Sequence, residues 1–375
     1  MRICIDGRLA RQHGGTGVST YGKGLANTVA AIGHLVEPLV DGGKSGRASA
    51  WLGAVRPGEW RVPLTDGRRG GGAVFRSAQI RFDLRRTLLP VCDTADPPAL
   101  MHWTYPLPLR FAAVPNLYTI HDLIPLLHPG LSPIPDKRMR RLLGCVTEVA
   151  THIVTVSECS RREIIDVLGV PPDRVTNTYQ AVVDTRPNPA ALAQTLNVLG
   201  LTPGGYMLHA GSVEPRKNVR RLIQAHRESR SRRPLVIAGP DGWRAATELA
   251  NAGPEVIRLP WVARADLVAL IAGARCVLVP SLAEGFGLVV AEAMTLGTAV
   301  ICSAHGALRE VAGNAAQLVD AEDTAAWAAT LASLNGDDDA VGALVAAGNI
   351  RAQNFTPAAH ADRLRPLYAR LSVAV

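Results

Sequence analysis

Aromatic side chains and regularly spaced cysteines are scarce in this 375-residue sequence. Aromatics make up 5% of the residues, and no basic run is interleaved with them as in a groove that binds single strands. We therefore expect no nucleic-acid partner. The six cysteines lack metal-type or redox-type spacing, which is typical of buried free thiols in a reducing compartment. They stand at positions 4, 92, 145, 159, 276 and 302.

A stretch suited to crossing a membrane is also lacking. Residues 187–213 carry no Asp, Glu, Lys or Arg, but their content of Pro, Gly, Asn and Gln argues against a span. Asp6 and Arg8 interrupt the N-terminal segment where a signal peptide needs an apolar core. The sequence therefore predicts a cytoplasmic protein.

The net charge of +8 is concentrated in the first half of the chain. Residues 1–190 carry 23 basic and 16 acidic side chains, whereas residues 191–375 carry 17 and 16. This excess indicates either an ordinary solvated face or a surface for an anionic membrane or a phosphate-bearing acceptor. Both interpretations stay open. The basic clusters are Arg68-Arg69, the group Arg76, Arg81, Arg85 and Arg86, and the run at 136–141.

Short apolar runs separated by helix-like segments recur in both halves of the chain. Because these runs lack polar alternation, they indicate parallel strands that are buried on both faces of a sheet. Two such sets at this length predict an α/β protein with two doubly wound, Rossmann-like domains. The predicted strands are 2–6, 117–120, 152–157 and 175–179, then 206–211, 234–239, 256–260, 276–281 and 298–303.

The predicted domain boundary lies in a stretch at 184–205 that is rich in Pro and Gly and lacks strand patterns. The last segment has a helical pattern despite Pro366 and could belong to either domain, with packing on the first as one candidate arrangement. The predicted segments are a first domain at 1–186, a hinge at 187–199, a second domain at 200–355 and a C-terminal helix at 356–375.

Residues that follow the predicted strands are the candidates for a site, because ligands of open α/β sheets bind beyond the carboxyl ends of the strands. Arg216 and Lys217 follow the strand at 206–211 and precede a predicted helix. Two cations beside unpaired helix-end amides suit a diphosphate. Taken alone, the pair is also compatible with an exposed basic turn.

The stretch EGFGLVVAE, which follows the strand at 276–281, holds two acids. Gly285 and Gly287 let the backbone approach a ligand closely. A helix is predicted to begin near Leu288, so its positive end faces the same place. Glu284 and Glu292 only accept hydrogen bonds when ionised, and each therefore suits a pair of vicinal hydroxyls.

The order of several motifs resembles the retaining glycosyltransferases of family 4, which have the GT-B fold. The pattern E-G-F-G-x-x-x-x-E-A-M-x-x-G, preceded by G-S-x-E-P-R-K-N, is similar to their second half. GTGVSTY (15–21), TIHDLIPLLHP (119–129) and TVSECSRREI (155–164) resemble motifs of their first half. The resemblance implies two Rossmann-like domains, each a parallel sheet, facing a central cleft.

The same resemblance implies that the second domain binds a nucleotide-sugar donor. Glu284 would hydrogen-bond the hexose, and Glu292 would hold the ribose hydroxyls. Arg216 and Lys217 would neutralise the diphosphate. The other residues that it assigns to the donor are Ser212, Pro240, Trp261 and Val262, together with the amides of Gly285, Phe286, Gly287 and Leu288.

In the first domain, the resemblance implies that the loop of Gly14 and Gly15 approaches the diphosphate. His121 would lie beside the donor sugar near the reacting carbon, with Asp122 next to it. A single histidine is more often structural, but the neighbouring Asp122 and the loop position favour the site. The catalytic residues implied are His121, Glu284, Arg216 and Lys217.

The implied chemistry is the departure of a nucleoside diphosphate, whose growing charge fixed cations and helix-end amides stabilise. Because both acids are assigned to hydroxyls, no carboxylate nucleophile is evident, and we expect a front-face reaction that retains configuration. The two cations replace a metal ion, so neither metal nor cofactor is expected. The run at 337–339 is interpreted as an exposed acidic loop rather than a metal motif.

The opening residues look most like those of bacterial enzymes that extend polysaccharide or lipopolysaccharide chains. This favours mannose from GDP-mannose as donor and a glycan or lipid-linked saccharide as acceptor. UDP-glucose, other UDP-hexoses and GDP- or dTDP-deoxyhexoses stay open. Two other classes share the fold: nucleotide-sugar epimerases and non-catalytic nucleotide-sugar-binding proteins. An anionic membrane surface, at the inner face of the cytoplasmic membrane, is a candidate partner.

Overall fold

The computed structural model describes residues 1–8, 17–42 and 47–372, and strands alternate with helices along most of this length. The strands are β1 (Arg2–Asp6), β2 (Leu35–Val40), β3 (Trp60–Arg61), β4 (Leu64–Thr65), β5 (Arg68–Gly70), β6 (Leu89–Cys92), β7 (Leu100–Trp103), β8 (Leu109–Phe111), β9 (Asn116–Thr119), β10 (His152–Thr155), β11 (Val175–Asn177), β12 (Met207–Ala210), β13 (Leu235–Ala238), β14 (Val256–Leu259), β15 (Cys276–Val279), β16 (Ala299–Ser303) and β17 (Gln317–Val319). The helices are α1 (Gly17–Ala31), α2 (Arg47–Val55), α3 (Val74–Arg85), α4 (Ile124–Leu127), α5 (Asp136–Val149), α6 (Glu158–Leu168), α7 (Pro189–Val198), α8 (Val219–Glu228), α9 (Ala245–Leu249), α10 (Arg264–Gly273), α11 (Leu288–Leu296), α12 (Gly306–Ala312), α13 (Thr324–Gly336), α14 (Asp338–Ala352) and α15 (Pro357–Ser372).

The chain forms two compact units. Unit 1 comprises Met1–Pro129, Ile134–Ala181 and Pro357–Val375, and unit 2 comprises Gly130–Pro133 and Val182–Thr356. The boundary nearest to the predicted one lies between Ala181 and Val182, five residues before it. The segment 187–199, which we predicted as a hinge, lies inside unit 2 and carries α7. Asn188 caps this helix by accepting a hydrogen bond from the amide of Ala191 at 2.8 Å.

The C-terminal helix α15 packs within unit 1, although Pro366 lies inside it. The hydroxyl of Tyr368 is 2.7 Å from Nδ1 of His102 on β7. Nδ1 of His360 is 3.1 Å from the hydroxyl of Thr28 on α1. These four side chains are buried, so polar contacts inside the core fix the helix in place.

Parallel pairing dominates the sheets of unit 1. Among the described residues, the main sheet has the order β11-β10-β9-β7-β1-β2-β5-β4, and only β4–β5 is antiparallel. A smaller parallel sheet has the order β3-β6-β8. Strands β1, β9, β10 and β11 confirm the four predicted for the first half of the chain.

One member of the predicted basic clusters is buried in this unit. The guanidinium of Arg69 donates to Glu37 and to Asp93, each at 2.8 Å. The assignment of Arg69 to a basic surface was therefore wrong, because its charge is already compensated in the interior.

Among its described residues, unit 2 contains one sheet, which is parallel and has the strand order β14-β13-β12-β15-β16-β17. The five strands predicted for the second half are confirmed as β12 to β16. Strands β12, β13, β15 and β16 are buried along their whole length, which is why their sequences show no polar alternation. The strand order reverses between β12 and β15, and ligands of open α/β sheets bind at such switch points.

The acidic run at 337–339 begins a helix and is not a loop. The carboxylate of Asp337 accepts a hydrogen bond from the amide of Ala340 at 2.8 Å and caps α14, and Asp338 pairs with Arg275. Acids in a first helical turn complement the positive end of the helix. In the described part of the chain, none of the helices combines the length and the apolar character needed to cross a bilayer.

Candidate functional site at the carboxyl edge of unit 2

The loops after β12 and β15 bring three predicted residues together at the switch point. Arg216 and Lys217 follow β12, and Glu284 follows β15. The cations stand 68 and 67 residues before Glu284 in sequence, yet both contact its carboxylate. The fold therefore assembles the cluster from two separate loops.

The loop that carries the cations is fixed by its backbone. Pro215–Lys217 form one 3-10 turn, which ends at Asn218 in the left-handed conformation (φ 56°). The side-chain amide (Nδ2) of Asn218 donates to the carbonyls of Pro280 (3.2 Å) and Ala321 (2.7 Å). The amide of Leu282 donates to the carbonyl of Arg216 at 2.8 Å. These bonds tie the two loops to each other.

Glu284 forms the centre of the cluster. Its Oε2 accepts a hydrogen bond from Nη1 of Arg216 at 2.7 Å, and its Oε1 accepts one from Nζ of Lys217 at 2.6 Å. The other arm of Arg216 donates to Glu214 at 2.7 Å. Each carboxylate oxygen of Glu284 therefore already has a cationic partner in this structure.

The protonation state of Glu284 follows from these contacts. Burial raises the pKa of the carboxyl, but the charges of Arg216 and Lys217 outweigh burial and lower the pKa to about 2. The group is therefore ionised at neutral pH and can only accept hydrogen bonds. Such a carboxylate suits hydroxyl recognition and does not suit the role of a general acid.

Glu292 lies on α11 and is buried rather than solvent-facing. Arg264, the first residue of α10, holds it with both arms, at 2.5 Å from Nη2 to Oε1 and 3.3 Å from Nη1 to Oε2. The carboxylate that we assigned to the ribose hydroxyls is therefore occupied by a guanidinium, and a ligand would have to share or replace it.

Gly287 ends the acidic loop and immediately precedes α11, at its N-cap position. It has φ 97°, and a Cβ there would lie 2.6 Å from Cδ2 of Leu308. Both facts require glycine. The ring of Phe286 packs edge-on against Phe355 at 5.4 Å. Because its ring is engaged with Phe355, Phe286 can contact a ligand only through its backbone.

Three of the residues that the resemblance assigned to the donor, Pro240, Trp261 and Val262, follow β13 and β14, on the same edge of the sheet. Pro240 and Trp261 are exposed, and Val262 is half-buried. The carbonyl of Pro240 accepts a hydrogen bond from the amide of Val213 at 2.9 Å. Ser212 is half-buried next to the cationic loop. The structure therefore aligns these residues along one edge, without a contact that fixes the role of any of them.

His121 lies in unit 1, half-buried between two tyrosines. Its ring meets Tyr21 edge-on at 4.8 Å and stacks with Tyr105 at 6.4 Å. Nε2 donates to the carbonyl of Thr104 at 2.9 Å, which leaves the lone pair on Nδ1. Burial lowers the pKa of His121, so the ring is neutral at neutral pH.

The two remaining predictions concern loops of unit 1. Oδ1 of Asp122 accepts a hydrogen bond from the amide of Ile124 at 3.0 Å, at the start of α4. This contact stabilises the loop after His121. Gly14 and Gly15 lie outside the described residues.

Sequence reasoning missed the partners of the assigned side chains. Glu214 holds Arg216, Asn218 joins the two loops through its bond to Pro280, and Arg264 holds Glu292. The motif G-S-x-E-P-R-K-N contained the first two, but we assigned only its cations. Arg264 had no local signal, because its partner is 28 residues away.

Two family models match the chain. One is described as glycosyl transferases group 1 and matches residues 204–337. The other is described as a glycosyl transferase 4-like domain and matches residues 16–178. The O-antigen chain mannosyltransferase B of Escherichia coli is 36% identical over 250 residues, which are 64% of this chain and 66% of that protein. The match thus spans slightly under two thirds of this relative.

Solved structures are similar over the whole chain. Sucrose-phosphate synthase from Thermosynechococcus elongatus superposes with a TM-score of 0.75 at 21% identity, covering 100% of both chains. HepE of Anabaena, in complex with UDP-glucose, has a TM-score of 0.70 at 17% identity, covering 99% of this chain and 100% of the other. These likenesses confirm the predicted GT-B fold class.

Proposed function

Because the chain belongs to the group 1 glycosyl transferases with a family 4-like first domain, we propose that it transfers a hexose from a nucleotide sugar to a glycan or lipid-linked saccharide. The observation that supports this most is the cluster of Arg216, Lys217 and Glu284 at the switch point of unit 2. It combines two cations for a diphosphate with an ionised acceptor for sugar hydroxyls.

Mannose from GDP-mannose is the donor that we favour. The support is the name of the Escherichia coli relative, a mannosyltransferase of O-antigen chains. UDP-glucose is the second candidate, because the similar HepE structure holds it, and deoxyhexose nucleotides are the third. The exposed Trp261 and Pro240 provide no side-chain contact that selects a base.

Donor binding exchanges partners in the cluster. A diphosphate carries more negative charge than a carboxylate, so Arg216 and Lys217 move part of their hydrogen bonding to it. Glu284 then has lone pairs for two hydroxyls of the hexose. Glu292 takes the ribose hydroxyls as Arg264 withdraws. The positive end of α11, beginning at Gly287, adds backbone amides to the same place.

The bond that breaks joins the anomeric carbon to a diphosphate oxygen. Arg216 and Lys217 stabilise the charge that develops on this oxygen, which lowers the barrier more than it favours the bound donor. Arg216 and Lys217 supply the positive charge that a divalent metal ion supplies in metal-dependent enzymes. The reaction is therefore proposed to need no metal. Since Glu284 and Glu292 are engaged with hydroxyls, the acceptor hydroxyl attacks the anomeric carbon from the front face. Its proton passes to the departing diphosphate oxygen, and the configuration is retained.

A thermal-shift panel tests the donor. GDP-mannose, UDP-glucose and deoxyhexose nucleotides are each added to the protein, and a ligand at 100 times its Kd stabilises the folded state by about 2.7 kcal/mol. Arg216→Ala/Lys217→Ala should lose this shift. Arg227→Ala, which removes an exposed arginine of α8 paired with Glu255, should keep it.

Turnover then separates the three classes that the fold allows. A transferase releases nucleoside diphosphate in step with sugar transfer to a saccharide acceptor. Release that is equally fast without acceptor favours an epimerase or a hydrolase, and binding without release favours a non-catalytic protein. Either result contradicts the proposal. The anomeric coupling in the product, measured by NMR, tests retention.

A further inference from the structure

His209, near the carboxyl end of β12, carries a buried nitrogen atom that lacks a partner. Its side chain is 1% exposed, and Nδ1 lies 3.0 Å from the carbonyl oxygen of Leu278 on the neighbouring strand β15. In the described part of the chain, Nε2 makes no hydrogen bond although it is buried. Because burying a polar atom unpaired costs free energy, this atom needs an explanation.

The bond to Leu278 decides which groups can bind Nε2. A carbonyl oxygen only accepts, so Nδ1 carries the proton of the ring and Nε2 carries the lone pair. Burial, the largest influence, lowers the pKa of His209 to about 4, and the ring is therefore neutral at neutral pH. Nε2 can only accept a hydrogen bond, and an unprotonated phosphate oxygen cannot be its partner. The partner has to be a donor.

The ammonium group of Lys217 is a donor beside this atom. A Cβ on Gly211 would stand 3.8 Å from Nε2 of His209 and 3.9 Å from Nζ of Lys217. Because residue 211 is glycine, this space between the two nitrogens holds no side chain. Among charged side chains, Lys217 lowers the pKa of His209 most, as expected of a neighbouring cation. Nζ donates to Glu284 at 2.6 Å and has two further N–H groups.

His226 on α8 shows that an unpaired nitrogen is not sufficient to indicate a role. It is 2% exposed, its Nε2 lies 2.9 Å from the carbonyl oxygen of Arg233, and its Nδ1 lacks a partner within the described residues. The charged side chain that acts on its pKa is an acid, Glu255. The adjacent ammonium is therefore what distinguishes His209 from His226.

We propose that His209 is a positioning residue for Lys217 in the donor complex. When the diphosphate of the donor draws the ammonium away from Glu284, Nε2 of His209 accepts one of its N–H groups and holds the cation beside the diphosphate. A neutral acceptor then replaces a carboxylate, so the positive charge stays available for the diphosphate. His209 itself does not touch the donor. The inference rests on the proposed function, because it concerns the same diphosphate site.

A double-mutant cycle with pyrophosphate, measured by isothermal titration calorimetry, tests this role. Asparagine in His209→Asn can still donate to the carbonyl of Leu278 but has no atom at the place of Nε2. The affinity for pyrophosphate should fall about tenfold, because a hydrogen bond to a charged group is lost. In a Lys217→Ala background, the same substitution should cause no further loss. Unchanged affinity of His209→Asn, or an equal loss in both backgrounds, overturns the proposal.

Two further variants separate positioning from packing. His209→Gln can place an amide oxygen near the position of Nε2 and should recover most of the affinity. His226→Asn is the matched control, and it should leave the affinity unchanged even where it lowers the thermal midpoint equally. A loss in either variant as large as that of His209→Asn would contradict the role. If His209→Asn does not fold, His209→Met takes its place, since it removes both nitrogens and keeps most of the volume.

The outcomes also distinguish this inference from the proposed function. A parent protein that transfers sugar and binds pyrophosphate, with His209→Asn equal to it in affinity, contradicts only the role of His209. A parent protein that does not bind pyrophosphate contradicts the diphosphate site itself, and the role of His209 is then wrong as well.

Discussion

Replacing Glu284 by glutamine should tighten the binding of pyrophosphate while abolishing transfer. Arg216 and Lys217 both donate to this carboxylate, at 2.7 and 2.6 Å, so a diphosphate has to compete with it for the same cations. Glutamine keeps the size of the side chain but removes its charge. The cations of Glu284→Gln are therefore available before the ligand arrives.

The pKa of Glu284 gives the magnitude. A pKa of about 2 against the ordinary 4.5 corresponds to about 3 kcal/mol of net interaction with the ionised form. Because the side chain is only 11% exposed, solvent screens little of it. Part of this interaction energy between Glu284 and the two cations is lost when Arg216 and Lys217 form hydrogen bonds with pyrophosphate instead. We expect affinity to rise between about fivefold, or 1 kcal/mol, and about a hundredfold.

The sign of the pH dependence is fixed as well. A pKa lowered by folding stabilises the native state above the unfolded pKa near 4.5, and this stabilisation is lost as the pH falls towards 2. Between pH 5 and pH 8 the gain in affinity of Glu284→Gln should therefore be constant. The free-energy difference of unfolding between parent and variant should shrink only below about pH 4.5.

Isothermal titration calorimetry with pyrophosphate measures this directly, because the probe lacks a base and a sugar. Glu255→Gln is the control, since Glu255 pairs with Arg227 away from the cluster, and it should leave the affinity unchanged. Affinity that is unchanged or weaker in Glu284→Gln would refute the idea that Glu284 holds the cations away from the ligand.

Four other measurements address separate parts of the site. Arg216→Ala/Lys217→Ala should weaken pyrophosphate binding and lower kcat/KM, each at least tenfold for about 1.4 kcal/mol, and unchanged kinetics would contradict the assignment. Adding EDTA to a transfer assay should leave the rate unchanged, whereas a metal requirement would show that the two cations are not sufficient. Arg264→Gln should lower the donor KM if Glu292 binds the ribose, and should leave the KM of a donor analogue without ribose hydroxyls unchanged. Gly287→Ala should destabilise unit 2 by about 2 kcal/mol or more, because it combines a positive φ with a steric clash, and an unchanged thermal midpoint would contradict this.

Several of the strands that were predicted correctly share one property. Residues 207–210, 235–238 and 276–279 are buried on both faces, so hydrophobicity alone reveals them. Strand β2 was missed because Glu37 and Pro38 interrupt its apolar pattern. Glu37 is buried only because Arg69, 32 residues away, compensates its charge. No local pattern contains that partner.

The boundary between the units shows the same limit. Pro and Gly in 184–205 indicated a break in regular structure, but α7 occupies this segment and packs within unit 2. Leu196 of α7 is buried, and its contacts come from side chains far away in sequence. Composition predicted that this segment connects two domains. Side-chain packing determined that it forms a helix and belongs to unit 2.

The sequence by itself determined the two parallel-sheet units and the order of the loops that carry Arg216, Lys217 and Glu284, because apolar runs, glycines and helix starts are local signals. Only the tertiary structure decided that these three charges pair with each other and that Arg264 holds Glu292. It also decided that Arg69 is buried while Trp51 and Leu52 are exposed. Charge pairing and burial depend on which distant residues the fold brings into contact, and an amino-acid sequence read locally does not contain that information.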